Sequence, residues 1–243
     1  MTIVFSRPES MLDVPTHYCP GCLHGVAHRL VAEVLDELAL DQIAIGVAPV
    51  GCASMAFRYI DTDWASAAHG RAPAVATGLK RVHPDKVVFT YQGDGDLASI
   101  GTAEIVHAAM RNERITVIFI NNGIYGMTGG QMAPTTQIGQ KTTTSPFGRD
   151  PSHSGYPIKM SEVLAQMEGD NYIARSTLHN PAGIVRAKRF IKKAFQHQLD
   201  KRGFALVELI SNCPTNWGMT PTESIAYINE HQIKYYQLGE LKG

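Results

Sequence analysis

Hydrophobic residues recur along the chain in two alternating patterns, which predict a regular succession of helices and strands. Between residues 24 and 40 apolar side chains repeat at helical spacing, as on one buried helix face. Short, largely apolar runs occupy residues 43–50, 86–92, 115–120 and 204–210, a pattern typical of strands that are covered on both faces. The alternation indicates an α/β fold with a doubly wound, mainly parallel sheet.

The remaining segments fit the same organisation, and we expect residues 1–243 to form a single domain. A long segment at 123–158 is rich in Gly, Thr, Pro and Ser and has no period, which favours a functional loop that passes over a ligand. The pattern also predicts a strand near 171–176 and helices over 71–82, 97–112, 160–168, 182–201 and 221–237.

Two polar side chains follow neighbouring predicted strands. Asp94 lies in Gly93-Asp94-Gly95-Asp96 after the strand at 86–92, and Asn122 lies in Asn121-Asn122-Gly123 after the strand at 115–120. A right-handed crossover brings both loops to the carboxyl edge of a parallel sheet, so we expect the two side chains to converge. Carboxylate and amide oxygens suit Mg²⁺, which completes its shell with waters and phosphate oxygens.

The same loop favours a diphosphate as the partner of the metal ion. Gly93 and Gly95 allow the backbone to approach phosphate closely, and the helix predicted to start near Leu97 directs its free amide groups to the same place. A Gly-Asp-Gly sequence alone is commonly an ordinary turn. Combined with Asn-Asn after the next strand, it matches the thiamine diphosphate signature, in which a metal bridges the cofactor's diphosphate to the protein.

The chain has four cysteines, and Pro or Gly adjoins each of them. Cys19 and Cys22 form one knuckle, whereas Cys52 and Cys213 each follow a predicted strand and should lie at the carboxyl edge. A thioredoxin-like pair, structural disulfides, inert buried thiols and a zinc site are all compatible with the residues. Four thiolates on converging loops also suit a [4Fe–4S] cluster, which we favour beside a thiamine site.

Composition and charge bear on which classes of partner the protein binds and on its location in the cell. The 22 basic and 22 acidic residues are interspersed and give a formal net charge of zero, so nothing indicates binding to nucleic acid or to a membrane surface. The sequence contains no apolar run of about 20 residues and no start typical of a signal peptide. We therefore expect a cytoplasmic protein.

Taken in order, the motifs resemble the β subunit of the 2-oxoacid:ferredoxin oxidoreductases over roughly residues 18–221. One departure is Leu23, at a position where many relatives carry glycine. The resemblance implies the diphosphate-binding domain of a thiamine diphosphate fold. It rests on Tyr18-Cys19-Pro20-Gly21-Cys22-Leu23-His24-Gly25, Gly51-Cys52-Ala53-Ser54, His69-Gly70-Arg71-Ala72, Gly93-Asp94-Gly95-Asp96, Asn121-Asn122-Gly123-Ile124-Tyr125-Gly126-Met127-Thr128-Gly129-Gly130-Gln131 and Cys213-Pro214-Thr215-Asn216.

The family resemblance implies oxidative decarboxylation of a 2-oxoacid to acyl-CoA and CO₂, with electrons passed through a [4Fe–4S] cluster to ferredoxin. It implies that Asp94, Asn122 and the Ile124 carbonyl hold Mg²⁺. It also implies that the cluster is held by Cys19, Cys22, Cys52 and Cys213. The implied cofactor contacts are Cys52, Ser54, His69, Gly93, Asp94, Gly95, Asp96, Asn122, Ile124, Tyr125 and Thr128.

Several of these polar residues also have an ordinary structural explanation. His69 begins a predicted helix and could cap it, and Tyr125 and Thr128 are common turn residues. We assign no catalytic residue to this chain, because the carboxylate that activates thiamine diphosphate comes, in the family, from the pyrimidine-binding domain of an α subunit. The resemblance further implies a γ subunit and a ferredoxin-like δ subunit, separate or fused, and coenzyme A as a substrate.

Two other functions remain open from the sequence. A non-oxidative thiamine diphosphate-dependent decarboxylase or carboligase subunit would share the metal motif but have no use for four converging cysteines. An electron-transfer subunit without catalytic activity would share the cysteines but not the metal motif. The sequence does not identify the 2-oxoacid, although Cys213-Pro214-Thr215-Asn216-Trp217-Gly218 resembles the 2-oxoisovalerate and 2-oxoglutarate types more than the pyruvate type.

Overall fold

A seven-stranded sheet runs through the protein in a computed structural model that describes residues 6–243. Its order is β2-β1-β3-β4-β8-β7-β9, and the pairs are parallel except for β7 with β9. A short hairpin pairs β5 with β6 outside this sheet. The strands are β1 (Ala44–Ala48), β2 (Asp63–Ser66), β3 (Val87–Gly93), β4 (Thr116–Asn121), β5 (Ile124–Tyr125), β6 (Gln131–Met132), β7 (Tyr172–Thr177), β8 (Ala205–Ile210) and β9 (Gly239–Lys242).

Helices cover both faces of the sheet, which confirms the predicted doubly wound α/β class. The helices are α1 (His24–Glu37), α2 (Ala72–Val82), α3 (Thr102–Met110), α4 (Pro151–Ser154), α5 (Met160–Ala165), α6 (Pro181–Leu199), α7 (Pro214–Trp217), α8 (Pro221–Tyr227) and α9 (Ile233–Tyr235). One core lies between the sheet and α1 with α6, and a second core lies between the sheet and α2, α3 and α5. Because both faces are covered, every residue of β4, β7 and β8 is buried.

The register of the parallel strands fixes where their carboxyl ends lie. Gly93 of β3 is level with Ile120 of β4, and Asn121 of β4 is level with Ile210 of β8. The loops that follow these three strands therefore begin at the same edge of the sheet. This is the edge at which open α/β sheets bind their ligands.

The principal strands and helices lie where the apolar patterns predict them, but three features differ. The edge strands β2 and β9 are short and partly exposed, so they carry no apolar run that the sequence could reveal. The predicted helix at 97–112 begins as a π-helical turn at Asp96–Ile100, a type of irregularity that is frequent at functional sites. The predicted terminal helix is divided into α8, a π-helical turn at Ile228–Gln232 and α9.

The long loop at 123–158 is ordered largely by one buried side chain. Arg149 is 6% exposed, and its guanidinium donates to main-chain oxygens before and after it in the loop. Five of these bonds are 2.8–3.0 Å long and go to Pro134, Thr136, Ser154, Gly155 and Tyr156. Unlike the predicted loop, the segment holds the hairpin of β5 and β6 and the short helix α4, and the charged donor satisfies several of the carbonyls that lie outside these elements. Within residues 6–243, no helix combines the length and apolar character needed to cross a membrane.

Candidate functional site

Two cavities lie side by side at the carboxyl edge of the sheet. The first is lined by the loops after β1, β3 and β4, including Asp94, Asn122 and Tyr125. The second has a volume of about 210 Å³ and is lined by all four cysteines. Residues common to both linings are His24, Cys52, Asn122, Gly126 and Met127. The strand register thus unites loops that are far apart in the sequence into one composite site.

Asp94 is the most strongly constrained polar group of the first cavity. Its side chain is 2% exposed. One carboxylate oxygen accepts from the Gly123 N–H at 2.6 Å and from the Thr135 hydroxyl at 2.6 Å, and the other accepts from the Gly95 N–H at 2.9 Å. Burial raises the pKa of Asp94 to about 6, although these hydrogen bonds favour the ionised form. A bound cation would stabilise the carboxylate that burial penalises.

Asn122 and Ile124 lie on either side of a tight turn that faces Asp94. The turn depends on Gly123, which has a φ of 68° and donates its N–H to Asp94. The Asn122 amide oxygen accepts from the Ile124 N–H at 3.2 Å, and both residues line the cavity. The structure thus brings together the three predicted metal-binding residues. A carboxylate and an amide oxygen beside an open cavity fit the hard oxygen shell of Mg²⁺.

The glycines of the β3 loop have different surroundings. A Cβ atom at Gly95 would lie 2.3–2.8 Å from three atoms of the Tyr125 ring, whereas a Cβ at Gly93 would meet nothing within 4 Å. The Tyr125 hydroxyl donates to the Gly95 carbonyl at 3.1 Å, so the ring and the loop support one another. Gly95 is therefore required for packing, and Gly93 leaves open space toward the cavity.

Asp96 and His69 line the first cavity from the side of α2. The Asp96 carboxylate accepts from the Gly70 N–H at 2.6 Å and from the Gln92 amide at 2.6 Å. The His69 Nε2 lies 3.6 Å from Asp96 and the imidazole is one-third exposed. Asp96 therefore fixes the turn at His69 and Gly70, while the imidazole remains accessible from the cavity.

Ser54 and Thr128 make local hydrogen bonds. The Ser54 hydroxyl donates to the Gly51 carbonyl at 2.8 Å and holds the 3₁₀ turn Cys52–Arg58, and Ser54 does not line the first cavity. Thr128 does line it, but its hydroxyl bonds to the Gln131 side chain. Both residues shape loops of the site, and neither hydroxyl is free in this arrangement.

The four cysteine thiols are free and converge on the second cavity. Burial raises the pKa of Cys22 to about 12 and that of Cys52 to about 11, opposite to the shift of a reactive thioredoxin-like thiol. A Cβ atom at Gly126 would lie 3.3 Å from the Cys52 sulfur and 3.5 Å from the Cys213 sulfur. The loop after β5 therefore passes close to two of the thiols, and a side chain at this position would crowd the Cys52 sulfur.

The four cysteines line a cavity of about 210 Å³, which has room for a group larger than a single ion. Within residues 6–243, no group of three or more His, Cys, Asp or Glu side chains is arranged to hold a single metal ion. A zinc site needs four ligands within about 2.3 Å of one centre. An iron–sulfur cubane instead takes one thiolate on each of its irons, so its ligands surround a cavity. The cysteine arrangement therefore fits a cluster better than a zinc ion.

Asn212 connects the two ends of the sequence beside this cavity. Its amide oxygen accepts from the Leu23 N–H at 3.0 Å, and its amide nitrogen donates to the Gly21 carbonyl at 3.1 Å and to the Ser224 hydroxyl at 2.8 Å. The knuckle of Cys19 and Cys22 is thereby fixed beside Cys213. Leu23 completes this turn without glycine, because its φ is −81° and its side chain packs on the core.

A buried ionic network lies behind the turn at residues 122–124. The Arg175 guanidinium is fully buried and donates to Glu208 at 2.7 Å, and the other Glu208 oxygen accepts from the Asn121 amide at 2.7 Å. The Tyr236 hydroxyl donates to the Thr135 carbonyl at 2.8 Å, and Thr135 in turn donates to Asp94. The orientations of the site residues are therefore fixed by partners on β7, β8 and the C-terminal segment.

The structure adds three residues to the site that the sequence patterns do not predict, namely Thr135, Asn212 and Asn216. Asn212 had a signal, since it precedes Cys213 at a strand end, and Asn216 lies in the Cys213-Pro214-Thr215-Asn216 motif. Thr135 lies in the aperiodic loop, where no pattern indicates which hydroxyl meets Asp94.

Comparison with known proteins agrees with this geometry. Residues 49–209 match the family described as thiamine pyrophosphate enzyme, C-terminal TPP binding domain. The matched segment contains the β3 loop with Asp94 and the β4 loop with Asn122. The first cavity therefore belongs to a thiamine diphosphate-binding domain.

Similar proteins are named as subunits of oxidoreductases. The chain is 47% identical over 96% of its length to the ketoisovalerate oxidoreductase subunit VorA of Methanothermobacter thermautotrophicus, but spans only 49% of that relative. It is 39% identical over 90% of its length to the 2-oxoglutarate synthase subunit KorB of Methanocaldococcus jannaschii and spans 79% of it.

A solved structure shares the fold over nearly the whole chain. It is the 2-oxoglutarate:ferredoxin oxidoreductase from Magnetococcus marinus with 2-oxoglutarate, coenzyme A and succinyl-CoA bound. The similarity has a TM-score of 0.78 and an identity of 27%, and covers 93% of this chain and 73% of that chain.

The two glycines beside Asp94 give a matched test of the site's packing. We expect Gly95→Ala to lower the free energy of unfolding by about 1–3 kcal/mol, because the new methyl group overlaps the Tyr125 ring. Gly93→Ala should stay within about 0.5 kcal/mol of the parent, since its methyl group meets no atom. Urea-induced unfolding monitored by circular dichroism measures both values.

The Tyr125 ring provides the control for this comparison. In a Tyr125→Ala background the ring atoms that the new methyl group overlaps are absent, so adding Gly95→Ala should cost little stability relative to Tyr125→Ala alone. Equal losses for the two single glycine variants would contradict the packing of Gly95 against Tyr125.

Proposed function

Because the chain belongs to the β subunits of the 2-oxoacid:ferredoxin oxidoreductases, we propose that it supplies the thiamine diphosphate-binding half of such an enzyme. The proposed reaction is oxidative decarboxylation of a 2-oxoacid to acyl-CoA and CO₂, with electrons passed to ferredoxin. The observation that carries the proposal is the shared wall of the two cavities. Cys52, Asn122 and Gly126 border both the metal-binding turn and the space between the thiols.

Asp94, Asn122 and the Ile124 carbonyl are proposed to hold Mg²⁺ against the cofactor's diphosphate. Thiamine diphosphate, when bound, supplies a carbanion that attacks the 2-oxo carbon and a thiazolium that accepts the electrons left when CO₂ departs. The buried Asp94 supports this role, since a divalent cation offsets the cost of ionising it. The open space at Gly93 allows close approach of a phosphate to the backbone. His69 and Tyr125 are proposed to contact the cofactor at the cavity wall.

Cys19, Cys22, Cys52 and Cys213 are proposed to hold a [4Fe–4S] cluster. The raised thiol pKa values of Cys22 and Cys52 show that burial disfavours isolated thiolates there, and bonding to iron would stabilise them. A cluster in this cavity would lie next to the cofactor cavity, which suits stepwise removal of electrons. A non-oxidative decarboxylase would gain nothing from this arrangement.

The remaining half of the active site is proposed to come from partner subunits. Activation of thiamine diphosphate needs a carboxylate beside its aminopyrimidine ring, and we assign no such residue to this chain. An α subunit with a pyrimidine-binding domain would supply it, together with γ and ferredoxin-like δ subunits, separate or fused. The similar proteins are themselves named as subunits, which supports assembly with other chains.

We propose a 2-oxoacid with a branched apolar side chain, such as 2-oxoisovalerate, as the substrate. Val50 and Met127 line the first cavity, so the part of the wall that this chain supplies offers apolar contacts to a branched side chain. The 47% identity to a ketoisovalerate subunit, against 39% to a 2-oxoglutarate subunit, agrees with this choice.

Asp94→Asn tests the metal assignment. The substitution keeps the shape of the side chain but removes its charge, so we expect Mg²⁺-dependent affinity for thiamine diphosphate to fall about 100-fold or more. Isothermal titration calorimetry of the purified complex with thiamine diphosphate, with and without EDTA, measures this affinity. Asp63→Asn, at an exposed position of β2, should leave the affinity unchanged. Equal affinities for the Asp94 variant and the parent would remove Asp94 from the site.

Reconstitution with partner subunits tests two proposals. The first, the half-site proposal, is that this chain holds only half of the active site, and the second is the class of 2-oxoacid that serves as substrate. We expect the isolated chain to release no CO₂ from any 2-oxoacid, and the complex with its partner subunits to do so with ferredoxin and coenzyme A. Among pyruvate, 2-oxoglutarate and 2-oxoisovalerate, the last should give the highest kcat/KM. Turnover by the isolated chain would overturn the half-site proposal, whereas a preference for 2-oxoglutarate would overturn only the substrate class.

Metal analysis tests the cysteine assignment. Chain purified anaerobically should contain about four irons and four sulfides, and Cys213→Ala should lose the redox-active centre. Ser211→Ala is the matched control, because Ser211 is fully buried two positions before Cys213. One zinc per chain, or a full [4Fe–4S] signal in the Cys213 variant, would contradict the four-ligand site.

A further inference from the structure

A single amide side chain, that of Asn216, bonds to both halves of the composite site. Its Nδ2 donates to the Gly126 carbonyl at 2.8 Å and to the Cys213 sulfur at 3.2 Å. Gly126 belongs to the loop that carries the metal-binding turn, and Cys213 is one of the four thiols. The amide nitrogen has two protons, so one group can make both hydrogen bonds.

The amide orientation of Asn216 follows from chemistry. If oxygen and nitrogen were exchanged, the amide oxygen would face a carbonyl oxygen and a sulfur, which are both acceptors. The side chain is also held from the other side, because a Cβ atom at Gly130 would lie 3.1 Å from the Asn216 Cβ and Oδ1 atoms. Asn216 is thus packed between Gly126 and Gly130 of the same loop, with its donor facing the thiol.

We propose that Asn216 is a positioning residue that sets the reduction potential of a [4Fe–4S] cluster at the four cysteines, an inference that rests on the function proposed above. An N–H donor withdraws electron density from a thiolate ligand and stabilises the additional negative charge of the reduced cluster. Removing that donor makes reduction less favourable and shifts the potential to a more negative value.

Asn216 contacts one of the four thiols, that of Cys213, so its effect on the cluster would act through that ligand. Among the residues that the structure describes, Asn216 is the one whose side chain donates a hydrogen bond to a cysteine sulfur. The same amide donates to the Gly126 carbonyl, so one group links the loop of the metal-binding turn to the thiol of Cys213.

The test compares Asn216→Leu with Thr215→Val in the intact complex. Leucine has a similar shape and no donor, whereas Thr215 is exposed one position away on α7. Cluster signals in electron paramagnetic resonance are assigned to this chain by their loss in Cys213→Ala. We expect Asn216→Leu to lower the ratio of reduced to oxidised cluster about tenfold at a fixed potential, about 59 mV for one electron. Thr215→Val should leave it unchanged.

A spectroscopic signature separates this role from general support of the fold. Electron–nuclear double resonance after exchange into D₂O should reveal an exchangeable proton coupled to the parent cluster, and Asn216→Leu should lack it. If Asn216→Leu fails to assemble the cluster, Asn216→Ala, which also lacks a donor and adds no charge, replaces it and should show both the negative shift and the lost coupling. An unchanged potential in the variant that assembles would overturn the inference.

The results distinguish failure of the proposed cluster from failure of the proposed role of Asn216. A parent complex without any signal that depends on Cys213 would refute the cluster itself and hence the proposed function. A parent complex with that signal, and an Asn216 variant with the same potential and proton coupling, would refute only the role of Asn216.

Discussion

The in-register parallel pairing of β3, β4 and β8 is the constraint on which the rest of the site depends. Main-chain hydrogen bonds set Gly93 level with Ile120 and Asn121 level with Ile210, so three loops begin at one height. Because side chains of these strands are buried on both faces, a shift by one residue would exchange side chains between the two cores and disrupt the packing of both. The positions of Asp94, Asn122 and Cys213 relative to one another therefore follow from the packing of the sheet.

This arrangement places polar groups where solvent cannot stabilise them. Asp94, the Arg175–Glu208 pair and three of the thiols are all largely removed from water. Hydrogen bonds satisfy the carboxylates, but each group still bears a desolvation cost. Positive charge brought by a metal ion to Asp94, or by iron to the thiols, would offset that cost, and binding of either would then stabilise the fold.

Much of the site could be predicted because its chemistry follows strand ends. Asp94, Asn122, Cys52 and Cys213 each come after an apolar run, and one topological rule brings them to the same edge. The direction of each side chain depends on distant partners that no local pattern encodes. Asp96 accepts hydrogen bonds from Gly70 and Gln92. Thr135 donates to Asp94 from an aperiodic loop. Asn216 donates to the sulfur of the cysteine three positions before it. The edge strands β2 and β9 escaped prediction because they are too short and too exposed to carry a pattern.

The bridging role of Asn212 has a consequence for biosynthesis. Its amide joins the knuckle after Cys19 to the strand that ends before Cys213, and these are nearly opposite ends of the described chain. A growing polypeptide presents Cys19, Cys22 and Cys52 to its surroundings long before the fourth thiol has been made. A cluster carried by all four thiols can then be inserted only after translation has passed Cys213 and β8 has paired. Delivery of iron in that case acts on a chain whose sheet has already formed.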